Sequence, residues 1–290
     1  MRRDIGRAIG YLLVGSLAFF APLLDGRVGD TVAAVGSVAP LALVAVLALA
    51  SRRGRLFELL ASDGDREEGR LYSLASFALA VTALAVLAVG FDLPVVAFVA
   101  AVFVLTVGAL GRTLARSWVR TPVVGAAVFA VAGTLGSIAA ILLAGGLGAT
   151  VPSLPLIAFV AASGAVLGAL VRSTLTPRDD PLVLLSTALV LWFLLGLDLD
   201  PGAERIAIGL AVTVALGYVA YALGTASVTG MLTGVLLALF AVVLGGYGWF
   251  VLLVTFFGLG GLAIAGGVAV SMLNLPSAEH GFLTQARETP

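Results

Sequence analysis

Hydrophobic positions along this chain come in long unbroken blocks, and polar positions are confined to the short breaks between them. Ten such blocks run at approximately 8–24, 31–50, 71–90, 94–111, 122–146, 154–171, 182–197, 205–223, 226–244 and 250–272. Crossing about 30 Å of hydrocarbon takes about 20 mainly apolar residues in a helix. The blocks therefore predict an all-α, polytopic integral membrane protein with about ten transmembrane helices. They divide into an eight-span region at 1–223, a two-span hairpin at 224–272 and a polar tail at 273–290.

The breaks set the orientation. Arginine bias in short loops marks the cytoplasmic side. With the N-terminus inside, the inner segments hold Arg2, Arg3, Arg7, Arg52, Arg53, Arg55, Arg66, Arg70, Arg112, Arg116, Arg120, Arg172, Arg178 and Arg287, and the outer loops hold only Arg27 and Arg205. Both ends are expected inside, in a multi-pass plasma-membrane protein. The opening MRRDIGRAIGYLLVGSLAFF has the basic start and apolar middle of a signal peptide. No small-residue cleavage site follows it, and a second span comes at once, so an uncleaved anchor is expected.

Composition then narrows the chemistry. The chain is 61% hydrophobic and 11% charged, with no cysteine and one histidine, His280. Disulfides, thiolate chemistry and the common zinc and histidine-based triads are excluded from the membrane. All sixteen basic residues are arginine. No ionisable side chain falls near the middle of a predicted span, which argues against a proton-coupled pump with a buried carboxylate. Asp92, Asp198 and Asp200 fall in outer loops. Nothing in the pattern suggests a nucleic-acid partner.

Chemistry is left to the inner loops. The longest, 51-SRRGRLFELLASDGDREEGR-70, carries a short amphipathic turn, 55-RLFELL-60, that extends the second span or lies along the interface. Its acidic run Asp63, Asp65, Glu67 and Glu68 lacks calcium-loop spacing and reads as a solvated connector. The loop 172-RSTLTPRDDPL-182 gathers Arg172, Arg178, Asp179 and Asp180. In one reading the arginines hold phosphate and the aspartates hold Mg²⁺, which takes one or two carboxylates plus phosphate oxygens. In the other, Asp180 caps a helix, Pro181 takes its first position, and the arginines only set topology. Arg112, Arg116 and Arg120 recur at four-residue spacing, one side of a helix. Lipid headgroups are their default partner, with Trp118 as interfacial anchor, and a nucleotide or lipid phosphate the sharper one. A weak internal echo links 108-GALGR-112 to 168-GALVR-172, as a parallel duplication would.

Near the C-terminus, small residues recur every fourth position at Ala226, Gly230, Gly234 and Ala238. This small-xxx-small face suits close helix contact, and Gly258, Gly261 and Ala265 of the last span offer the partner face. Just before it, Gly224, Thr225 and Ser227 open a helix whose free N–H groups favour an anion. No arginine is close in sequence, so phosphate binding there needs the arginine loops.

The run 225-TASVTGMLTGVLLALFAVVLGGYGWFVLLVTFFGLGGLA-263 resembles the start of the membrane family called domain of unknown function 92. Thr229, Gly230, Gly234, Gly245, Gly246, Trp249, Phe256 and Phe257 carry the likeness, over about forty residues. Residues 1–224 look like the longer N-terminal extension of archaeal members. Plant relatives are regarded as phytyl-phosphate kinases. The resemblance thus implies a role with a prenyl or other lipid phosphate at the cytoplasmic face, with a nucleotide and Mg²⁺ as implied cofactors. After Ala263 this sequence departs from the family, and the segments expected to carry catalysis have no counterpart. The family domain is expected to be truncated here, and no catalytic residue is assigned. The alternative is a transporter-like or structural membrane protein without enzymatic activity.

Overall fold

The computed structural model describes the chain except residues 1, 26, 117, 119–120, 176–179, 198, 225 and 274–290, and the side chains of 2, 30 and 261–273. The described residues are all-helical, without a strand. The elements are α1 (Arg2–Ser16), running through a 3-10 turn into α2 (Phe20–Leu24), α3 (Asp30–Ala50), α4 (Arg55–Leu60), α5 (Asp63–Glu68) and α6 (Tyr72–Gly90). They continue with α7 (Val95–Ala115), α8 (Pro122–Leu147), α9 (Leu154–Thr174), α10 (Asp180–Leu195), α11 (Ala203–Ala222), α12 (Val228–Phe240) and α13 (Gly246–Leu273).

Eight helical stretches among the described residues are long and apolar enough to cross a membrane. They coincide with the predicted spans except in two places. α10 has only 16 residues, about 24 Å of helix, shorter than the hydrocarbon core. The predicted ninth and tenth spans form one apolar stretch, Val228–Gly260, of 33 residues. A straight helix of that length would be about 50 Å long. This one is not straight. A five-residue π-helical segment, Ala241–Gly245, ends at Gly246 with φ 79° and ψ −176°, a region open essentially to glycine alone. Gly230 and Gly260, on either side of that break, line the same cavity, so α13 folds back along α12.

α7 and α9 form the axis of the bundle. Each has 61% of its apolar window buried, against 17% for α11. α7 packs on α8, α1, α10 and α9, and α9 packs on α8, α10 and α12. Between membrane helices the hydrophobic effect offers no drive, and close backbone approach supplies the packing instead. Glycines on α7, α8 and α9 provide it. A Cβ on Gly136 would lie 2.6 Å from Val107 Cβ, one on Gly111 2.5 Å from Ala132 Cβ, and one on Gly164 2.9 Å from a Leu191 methyl. One on Gly133 would meet the Val104 carbonyl oxygen at 3.1 Å. Close small-residue contacts thus hold the centre of the bundle together.

The loop 51–70 departs from the solvated connector expected of it. Ser62 and Asp65 form a capping box at the start of α5, the arrangement in which a cap hydroxyl and an acidic side chain satisfy each other's backbone N–H. Asp65 is 1% exposed. Its Oδ2 accepts from Ser62 N at 2.9 Å, and its Oδ1 accepts from Ser73 N at 2.9 Å and Ser73 Oγ at 3.1 Å. One carboxylate therefore fastens the loop to the first turn of α6. Leu59 and Leu60 of α4 sit over Gly6 and Gly10 of α1.

Candidate functional site

The sequence-predicted polar residues converge at one end of the bundle. Arg112 ends α7, Arg172 ends α9 and Asp180 opens α10. Each charge suits its place, since a helix C-terminus favours a cation and an N-terminus an anion. Arg172 Nη1 lies 3.2 Å from Asp180 Oδ1, with both side chains largely buried. Neither of these two atoms makes an aligned hydrogen bond, so this contact is electrostatic. The Arg172 guanidinium also stands 5.6 Å from the centroid of Phe129, within cation–π range. Phe129 is 1% exposed, held against Gly108 and Gly168, and makes an aromatic floor under the cation.

Arg112 sits beside this pair. A Cβ at Gly125 of α8 would lie 3.5 Å from Arg112 Nε, so that glycine leaves the guanidinium its space. Arg112 Nε is buried without a hydrogen-bond partner. Arg172, Arg116 and Asp180 all act on Arg112 electrostatically, while Arg116 itself is exposed. Tyr11 of α1 packs on Phe77 with ring centroids 5.1 Å apart. Asp180, Asp65, Arg7 and Arg172 lie within electrostatic reach of its hydroxyl. Five segments distant in sequence thus meet at one polar end.

The start of α12 joins the same end. Ser173 Oγ, next to Arg172, is 3.3 Å from Thr229 Oγ1. Ser227 caps α12, its Oγ accepting from Gly230 N at 3.1 Å. The serine predicted as an anion contact therefore already satisfies a free N–H of its own helix. Thr225, Arg178 and Asp179 lie outside the described residues. Asp180 is opposed by an arginine, a poor seat for Mg²⁺, and among the described residues no group of three or more acidic or histidine side chains gathers to hold a metal.

The stripe Ala226, Gly230, Gly234 and Ala238 faces a cavity of about 520 Å³ between α11, α12 and α13. A Cβ built on Gly234 or Gly258 meets nothing within 4 Å, so no helix presses on those glycines. Gly258 lines the far wall, and the side of Gly261 lies outside the described residues. α11 is instead the helix that touches α12 closely, through Gly217 against Met231 and Val235, each 3.1 Å from a built Cβ. The cavity wall is apolar apart from Thr213.

Phe129, Tyr11 and Gly125 carry no local sequence signal for their role. Asp65 did carry one, since 62-SDGD-65 has capping-box spacing. The fold defines an all-helical protein with the make-up of a multi-pass membrane protein. Comparison with protein-family models, curated proteins and solved structures gives no match.

Proposed function

We propose that this protein binds a phosphate-bearing membrane amphiphile where Arg112, Arg116 and Arg172 converge. The observation that carries this reading is the buried Arg112 Nε without a hydrogen-bond partner, beside an Arg172 whose contact with Asp180 is not an aligned hydrogen bond. A partly desolvated guanidinium gains most from a planar, multidentate anion such as phosphate. Ser173 and Thr229 bridge from this end to the rim of the α11–α13 cavity, where Ala226 and Gly230 begin its wall. Its volume of about 520 Å³ falls in the range of small-molecule sites, about 300–1,000 Å³. The head of such a ligand sits on the arginines and its chain in the cavity. A prenyl phosphate is the substrate class implied by the resemblance at 225–263.

The test is binding by the purified protein in nanodiscs to a prenyl phosphate, a phosphatidic acid and inorganic phosphate. Hydrogen bonds to a charged group contribute about 1.5–3 kcal/mol, so Arg112→Ala and Arg172→Ala each weaken phosphate-dependent binding about tenfold or more. Absence of binding to all three probes sinks the reading.

The accompanying topology is ten crossings with both ends cytoplasmic, in the plasma membrane. It counts α10 as a short span and α12 and α13 as two, in keeping with the arginine distribution. Because the chain has no cysteine, single cysteines at Arg116 and Tyr247 report opposite sides when labelled from outside cells. Labelling of both from the same side refutes it.

A further inference from the structure

Outside the spans, the first half of the 51–70 loop combines charge and apolar surface in a way the arginine cluster does not use. Arg52, Arg53 and Arg55 are exposed, and so are Leu56 and Leu59 of α4, Leu56 by 68%. The loop's charges are segregated. The half 51–60 holds three arginines and one carboxylate, Glu58, whereas 61–70 holds Asp63, Asp65, Glu67 and Glu68 against Arg66 and Arg70. α4 is also fixed in place. Leu59 and Leu60 rest over Gly6 and Gly10 of α1, and the buried Asp65 ties the following turn to α6. Leu56 thus cannot turn inward without undoing these contacts.

α4 follows directly on α3, whose lipid-facing Val46 and Leu47 are exposed up to its last turn. The helix therefore lies at the level where hydrocarbon gives way to headgroups. An exposed leucine with flanking arginines at that level matches an interfacial anchor on an anionic leaflet.

We propose that α4 is a fixed leaflet anchor, with Leu56 inserted into the acyl boundary and Arg52, Arg53 and Arg55 holding anionic lipid headgroups. The occupant of this face is the surrounding bilayer, not a soluble partner. This inference is independent of phosphate binding at Arg112 and Arg172.

A nitroxide on Leu56→Cys, the only cysteine in that variant, tests it in nanodiscs of anionic or zwitterionic lipid. The expected result is a label more accessible to oxygen than to a water-soluble nickel chelate, while one on Glu67→Cys shows the reverse. A label at 56 that is as open to nickel as that at 67 overturns the proposal. So does one shielded from both quenchers, which would indicate cover by protein. In a second measurement, R52Q/R53Q/R55Q lowers retention of anionic lipid by about fivefold per arginine, from about 1 kcal/mol for each basic residue near the surface. These side chains are exposed, so the variant keeps its fold, and prenyl-phosphate binding stays at the parent value. Unchanged lipid retention also overturns the proposal.

Discussion

Replacing Asp65 with alanine removes a carboxylate that is 1% exposed and accepts from Ser62 N, Ser73 N and Ser73 Oγ. Two of these donors are backbone N–H groups at helix starts, where no intrahelical acceptor exists. A buried donor left without an acceptor costs about 1–3 kcal/mol. Water reaching the opened loop recovers part of that, so the local cost is about 3 kcal/mol for the three donors together. The loss falls on the docking of 51–70, since α7–α9 do not depend on it. Hydrogen exchange in detergent micelles reads it directly. Amides at 62–75 are expected to exchange about a hundredfold faster in Asp65→Ala, while those of α7 and α9 keep the parent rate. Asp65→Asn keeps one acceptor oxygen and falls between. If exchange at 62–75 is unchanged, neither the carboxylate nor its capping box holds the loop in place.

The remaining expectations concern packing and the turn. Gly136→Ala places a methyl 2.6 Å from Val107 Cβ and is expected to cost about 1–3 kcal/mol as overpacking, read as a lower melting temperature in detergent. Gly234→Ala and Gly258→Ala meet nothing within 4 Å and are expected within about 0.5 kcal/mol of the parent; equal losses at all three sites would contradict the assignment of the packing face. Gly246→Ala forces a side chain into φ 79°, ψ −176°, at about 1–3 kcal/mol. The same melting assay tests it, and an unchanged melting point would mean the turn tolerates a Cβ. Arg172→Leu is expected to destabilise by about 3 kcal/mol, since it removes the guanidinium 3.2 Å from Asp180 in a largely buried ion pair. Arg172→Leu/Asp180→Leu should recover much of that loss, and failure to recover would show that the pair is not coupled.

The helical class and most element boundaries were legible because spanning helices are written in long apolar blocks, a signal that needs no partner to read. α3, α6, α7, α8 and α9 begin and end within a few residues of their predicted blocks. Arg112, Arg116, Arg172 and Asp180 were legible as residues, since charges at the ends of apolar blocks stand out. Their mutual distances were not, because they depend on how α7, α9 and α10 pack. The packing face was the harder problem. Gly230 and Gly234 have the same spacing as any close-contact pair, yet they face a cavity, while Gly108, Gly111, Gly133 and Gly136 do the packing. In a chain with 36 glycines, spacing alone does not tell a glycine under pressure from one beside empty space. Asp65 shows the opposite case: the cap pattern was present, and the surrounding acidic run concealed it.

The backbone at Gly246 also bears on sidedness. A helix that ran straight through this point would deliver everything after it to the far side of the membrane from Ser227. Because the chain folds back here, Gly260 of α13 returns to the cavity that Gly230 near the start of α12 also lines, close to the end where Ser173 and Thr229 meet. A single residue's dihedral angles thereby decide whether Gly230 and Gly260 stand at opposite ends of one long helix or on two walls of one cavity.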